Sequence, residues 1–77
     1  MPRYEKLIVS NLVIASPSGR MVEVFANDGT PTDGTSGTHA GDADTGSLCA
    51  DATNGVLYQN TNTKASPLWT KVGIQST

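Results

Sequence analysis

Apolar residues open the chain as two triplets, Leu7-Ile8-Val9 and Leu12-Val13-Ile14, with Ser10-Asn11 between them. The spacing fits a helical period poorly and four of the six residues are β-branched, so residues 4–15 predict extended chain with apolar groups on both faces. Ser16-Pro17-Ser18-Gly19 is a turn signal, because Pro presets the backbone and Gly tolerates a left-handed conformation. Residues 20–26 then alternate, with Met21, Glu23 and Phe25 on one face and Val22 and Val24 on the other, as a second strand would. Residues 1–26 are thus expected to form a β-hairpin.

From 27 to 46 the pattern stops. Five glycines, Gly29, Gly34, Gly37, Gly41 and Gly46, alternate with Thr, Asp and Ser, and no side chain is larger than His39. Such a segment predicts a long exposed loop, a linker, or a connection laid along a surface. Alternation returns over 47–51, 56–60 and 68–74, with turns at 52–55 and near 61–67, which predicts a three-stranded meander over 47–77. Asn54-Gly55 is a strong hairpin signal. Two registers are open: a two-residue loop sets Asp51 opposite Tyr58, whereas a bulge at Gly55 sets Ala50 opposite Tyr58 and Leu48 opposite Asn60. The second gathers Leu48, Ala50, Val56 and Tyr58 on one face and is preferred. The expected fold class is all-β, small antiparallel hairpins and a meander joined by a Gly/Thr-rich loop.

Composition adds a constraint. The chain has 77 residues, of which 36% are hydrophobic, with one Trp, two Tyr and one Phe. Chains this short bury only about 60% of the surface their unfolded form exposes, so the core is thin. Cys49 is the sole cysteine and His39 the sole histidine, which rules out an intrachain disulfide and a cysteine-based zinc site. Self-association, or attachment to a larger surface, is the remaining source of stability. Leu7, Val9, Leu12 and Ile14 are the expected interface residues at the N-terminal end. The formal net charge is -2, and Arg3, Lys6, Arg20, Lys64 and Lys71 are scattered. No basic face for nucleic acid is expected. No membrane span or secretory signal is expected either.

The candidate chemistry is sparse. Asp42 and Asp44 are spaced like the first two ligands of a calcium loop, but the sixth position from Asp42 is Ser47 and the twelfth is Thr53, where that loop needs Gly and a bidentate Glu. Their plainer role is to solvate a turn-rich loop. The glycines lack the Lys-Ser/Thr pair of a phosphate-binding loop. Cys49 in an apolar strand is the sort of cysteine that fills space, and His39 sits in the loosest segment, so neither metal, cofactor nor catalytic residue is expected. Tyr58 and Trp69 are expected in the core, since aromatics dominate burial. An exposed Trp69 would instead suit a glycan.

Residues 46–73, "GSLCADATNGVLYQNTNTKASPLWTKVG", resemble a Gly-x-Leu-x-x-Asp-x-x-x-Gly-x-Leu-Tyr-x-x-Thr pattern followed by a polar turn and Trp-Thr. That pattern occurs in virion proteins of tailed bacteriophages, among them small head decoration or head-fibre proteins and tail-fibre modules. The matching positions are Gly46, Leu48, Asp51, Gly55, Leu57, Tyr58, Thr61, Trp69, Thr70 and Gly73. "GTPTDGTSGTHAG" upstream is similar to the linker that precedes the pattern in head-associated members. The resemblance implies a non-enzymatic structural protein of the virion, made in the host bacterial cytoplasm. It would self-associate, as a homotrimer, and bind the major capsid protein or another virion protein. A fibre tip that binds a receptor or a host-surface glycan, with Trp69 and Tyr58 as stacking platforms, is the alternative. Residues 1–26 would anchor or oligomerise, with Asp51, Asn54 and Gly55 shaping the turn of the outer module and Leu48, Leu57, Tyr58 and Trp69 packing it.

Overall fold

The computed structural model describes residues 5–73. It is all-β: β1 (Leu12–Ala15), β2 (Met21–Asn27), β3 (Leu48–Asp51), β4 (Val56–Asn60) and β5 (Trp69–Lys71) form one sheet in the order β1-β2-β3-β4-β5. The first hairpin turns where the Pro/Gly signal stands, with the Gly19 amide donating to the Ser16 carbonyl at 2.9 Å. Only the second apolar triplet is strand; Leu7, Ile8 and Val9 lie outside it as an exposed arm. The expected strand ends at Tyr4 and Ile74 fall outside the described residues.

One pairing differs from an antiparallel series. β2 and β3 run parallel, with Phe25 beside Cys49 and Asn27 beside Asp51. Parallel neighbours need a crossover, usually a helix; here residues 28–47 make it without one. The hairpin and the meander are therefore a single mixed sheet, and the segment between them is a covering layer. It crosses the face that carries Glu23, Phe25, Cys49 and Trp69. His39 stacks on Phe25 with ring centroids 3.6 Å apart, and Trp69 meets Phe25 edge-on at 5.5 Å. Trp69 Nε1 donates to the Thr38 carbonyl at 3.1 Å, and the Trp69 amide donates to Asp33 Oδ1 at 2.7 Å. The Gly34 and Gly41 amides reach the carbonyls of Pro67 and Lys64. Glycine-rich sequence here lets backbone lie close against the sheet.

The β3–β4 register also departs from expectation. Cys49 faces Tyr58, Ala50 faces Leu57 and Asp51 faces Val56, one residue off the bulged register and two off the tight one. The cause is local. Asp51 Oδ1 accepts the amides of Thr53 and Asn54, and the Gly55 amide donates to the Asp51 carbonyl at 2.8 Å, so the turn takes four residues. The face expected to gather Leu48, Ala50, Val56 and Tyr58 is accordingly split. Val56 and Tyr58 join Cys49 and Asp51 under the crossover, while Leu48, Ala50 and Leu57 point the other way.

Two glycines separate backbone freedom from close approach. Gly55 has φ of 71° with open space around it, whereas a Cβ at Gly37 would meet the Thr32 carbonyl and sit 2.7 Å from the Asp33 carbonyl carbon. Gly55→Ala should cost about 1 kcal/mol of left-handed strain, and Gly37→Ala about 3 kcal/mol, since the crossover backbone must move. Urea unfolding followed by Trp69 emission checks the order; equal costs would contradict it.

Candidate functional site

Polar side chains hold the crossover to the sheet, Asp51 and Asn60 foremost. Asp51 is sealed at the end of β3, where its Oδ1 accepts the amides of Gly29, Thr53 and Asn54 at 3.1, 2.9 and 3.1 Å, and its Oδ2 accepts Asn54 Nδ2 at 2.7 Å. The Asn54 side chain, and then the backbone amides, hold its carboxyl below the ordinary carboxylate value against the opposing effect of burial. Asp51 thus ties the β3–β4 turn to the start of the crossover. Asn54 and Gly55, named from sequence as turn residues, stand in that turn, but the reach to Gly29 is not readable from the motif.

Asn60 is the larger surprise. It is fully buried at the end of β4. Its Nδ2 donates to the carbonyls of Ala43, Asp44 and Thr63 at 2.9, 3.4 and 3.1 Å, and its Oδ1 accepts the amides of Asn62 and Leu68, both at 2.9 Å. One side chain therefore fastens the crossover and the β4–β5 turn together. Alternation offered a signal: Val56, Tyr58 and Asn60 share a face, and a polar residue in phase with a buried set needs partners. Ser47, also fully buried, accepts the Glu23 amide on Oγ at 2.9 Å.

The sole histidine is held from two sides. Stacked on Phe25, it sets Nδ1 2.8 Å from Glu23 Oε1, and a carboxylate oxygen accepts, so the ring hydrogen is on Nδ1. Its backbone is left-handed, φ 55°, with its carbonyl accepting the amides of Asp42 and Ala43. The expectation that His39 lies loose is corrected: stacking and the Glu23 carboxylate fix it. Cys49 is fully buried. Burial, and then the Asp51 charge, push its thiol above the ordinary value, opposite to the shift a nucleophile requires. Asp44 Oδ1 accepts the Thr45 amide at 2.8 Å and pairs with Arg20 at 3.4 Å, while Asp42 is exposed. Among the described residues, no three His, Cys, Asp or Glu side chains are grouped to hold a metal.

Among the described residues, none forms a covering layer on the opposite face of the sheet. Register places Leu12, Val24 and Leu48 in one row across it, Ile14 beside Val22, and Ala50 beside Leu57. Leu7, Val9, Leu12 and Ile14, expected at an interface, are all exposed in the single chain, as is Leu57, and Leu48 is half-buried. Tyr58 and Trp69 instead belong to the covered face, where Trp69 is only 6% exposed and Tyr58 packs against the core. The molecule thus has one face closed by polar ties over β3 to β5 and the C-terminal half of β2, though Val13 and Met21 stay exposed on it, and an opposite face that is apolar and more open, which is the candidate site.

Asn60→Ala removes five hydrogen bonds and strands backbone groups, so it should cost roughly 3 kcal/mol or more, against a total of about 5–15 kcal/mol in a typical small domain. Denaturant unfolding of the variant beside wild type checks this; a cost under 1 kcal/mol would remove Asn60 from its role. Asp51 gives a pH signature. Its folded pKa is lowered from 3.8, so its stabilisation is complete above the unfolded value and is lost as pH falls through the folded one. Melting temperatures of wild type and Asp51→Asn should differ at neutral pH and converge as the pH falls below that range; a constant gap would sink the assignment. Compared with protein-family models, with curated proteins and with solved structures, the chain finds no match.

Proposed function

We propose that this chain is a non-enzymatic structural protein of a tailed-bacteriophage virion, a decoration or head-fibre protein that sits on the capsid surface as a multimer, with a homotrimer the expected form. The observation that carries the reading is the C-terminal pattern and where its positions fall. Gly46 and Asp51 bracket β3, Gly55 closes its turn, and Trp69 opens β5 within the core. These are the joints of a β module whose repetition across virion proteins is structural rather than chemical.

Binding is then the activity. A capsid offers many equivalent sites, so weak single contacts add through multivalency. The major capsid protein, or another virion protein, is the fitting partner. Residues 1–26 supply the assembling end, because β1 and the arm before it carry the most exposed large apolar side chains.

The alternative, a glycan-binding fibre tip, needs an open aromatic face for stacking. Trp69 is poorly suited to that: its ring is shielded, and its indole N–H is taken by Thr38. The test is a cryo-EM map of the phage particle whose genome encodes the chain. Density of this fold repeated at equivalent positions on the head is the expected result. A particle that lacks the protein, or carries it at the tail tip alone, would overturn the decoration reading.

A further inference from the structure

The turn between β3 and β4 carries the chain's one Asn-Gly pair, Asn54-Gly55. That dipeptide has a chemistry of its own. The amide nitrogen of the second residue can attack the asparagine side-chain carbonyl carbon, and a glycine there puts no Cβ in the way. Both residues are exposed, so water reaches them, and no heavy atom lies within 4 Å of where a Gly55 Cβ would stand. Yet Asp51 occupies both reacting groups. Its carbonyl accepts the Gly55 amide hydrogen at 2.8 Å, and its Oδ2 accepts Asn54 Nδ2 at 2.7 Å. Its Oδ1 takes the amides of Thr53 and Asn54 at 2.9 and 3.1 Å, so the backbone on which either group would swing toward the other is held as well.

We propose that Asn54 is a site of spontaneous deamidation, kept closed by Asp51 in the folded turn and opened whenever that turn lets go. In the open turn, hydroxide removes the Gly55 amide hydrogen and the nitrogen bonds to Asn54 Cγ. The side-chain amide takes a proton from water and leaves as ammonia, which closes a five-membered succinimide and regenerates the hydroxide. Water then opens the ring. Attack at the Asn54 backbone carbonyl leaves an isoaspartyl link through the side-chain carbon, and attack at Cγ leaves an ordinary aspartate. The net change is one water in and one ammonia out, with nothing oxidised or reduced. Either product brings a new carboxylate to the turn in place of the amide that now donates to Asp51. The Asn54 side chain is the first influence holding the Asp51 carboxyl low, so losing it and adding a like charge disfavours the ionised Asp51. Asp51 also accepts the Gly29 amide at 3.1 Å, so the loss carries from the turn to the start of the crossover. This chemistry is independent of the virion reading.

Incubating the full chain in mildly alkaline buffer, with and without unfolding guanidinium, tests it. Intact mass follows the deamidation, fragmentation places it at residue 54, and ion exchange resolves the added negative charge. The folded chain is expected to react roughly tenfold or more slower than the unfolded one, because it reacts only through its opened population. Equal rates overturn the protection, and no conversion at residue 54 in guanidinium overturns the site. Asp51→Ala should remove most of the protection; a variant that keeps its Trp69 emission yet reacts as slowly as wild type overturns the role of Asp51. Should that variant fail to fold, hydrogen exchange of the Gly55 amide in wild type gives a second reading. Exchange and deamidation both need the open turn, so the two rates should rise together as denaturant is added below the unfolding transition. A deamidation rate that stays flat while exchange rises overturns the proposal. Asn54→Asp copies one product, and its melting temperature at neutral pH should lie below that of Asn54→Ala, which loses the bond without adding charge. The reverse order overturns the consequence assigned to the modification.

Discussion

The crossover from β2 to β3 has to be held down without a hydrophobic underside, and the fold depends on how that is done. Residues 28–47 offer the sheet little apolar surface beyond Ala43, the buried Pro31 and the face of His39. Hydrogen bonds take over the task. Asn60 fastens the end of the crossover, Asp51 its beginning and Asp33 its middle. Among the described residues, no buried side-chain nitrogen or oxygen is left without a partner. That completeness matters because a buried polar group with partners contributes modestly, while one without them costs 1–3 kcal/mol.

Polar closure also accounts for the shape of the core. Phe25, Ala43, Cys49 and Trp69 form it, with Tyr58 against them, and Pro31 and Pro67 are buried as well. A chain with few aromatics places Phe25 and Trp69 on the same face, where the crossover can seal both. Among the described residues, none seals the other. The asymmetry between a hydrogen-bonded face and a more exposed apolar one is the feature on which the proposed multimeric reading rests, since burial of apolar area on association adds stability.

Much of the local structure was legible. β-branched triplets, a Pro/Gly turn, alternation over 20–26 and the Asn-Gly signal placed strands close to β1, β2, β3 and β4, and the all-β class followed. Register was not. The four-residue turn depends on Asp51 accepting two amides while its own carbonyl accepts a third, and a preference for gathering apolar residues on one face pointed to the wrong pairing. Leu48 and Leu57 belong to the open face, a choice that makes sense only where a face can be left bare.

What the sequence by itself determined is the periodicity: which segments extend and where they turn. These are properties of neighbouring residues, and they are set by sterics and spacing within a few positions. Only the tertiary structure decided that β2 and β3 run parallel, that the Gly-rich segment is a layer rather than a linker, and that Asn60 is a buried tie. Each rests on contacts between residues 16 to 36 positions apart, where nothing local distinguishes an asparagine in a turn from one that holds two loops together.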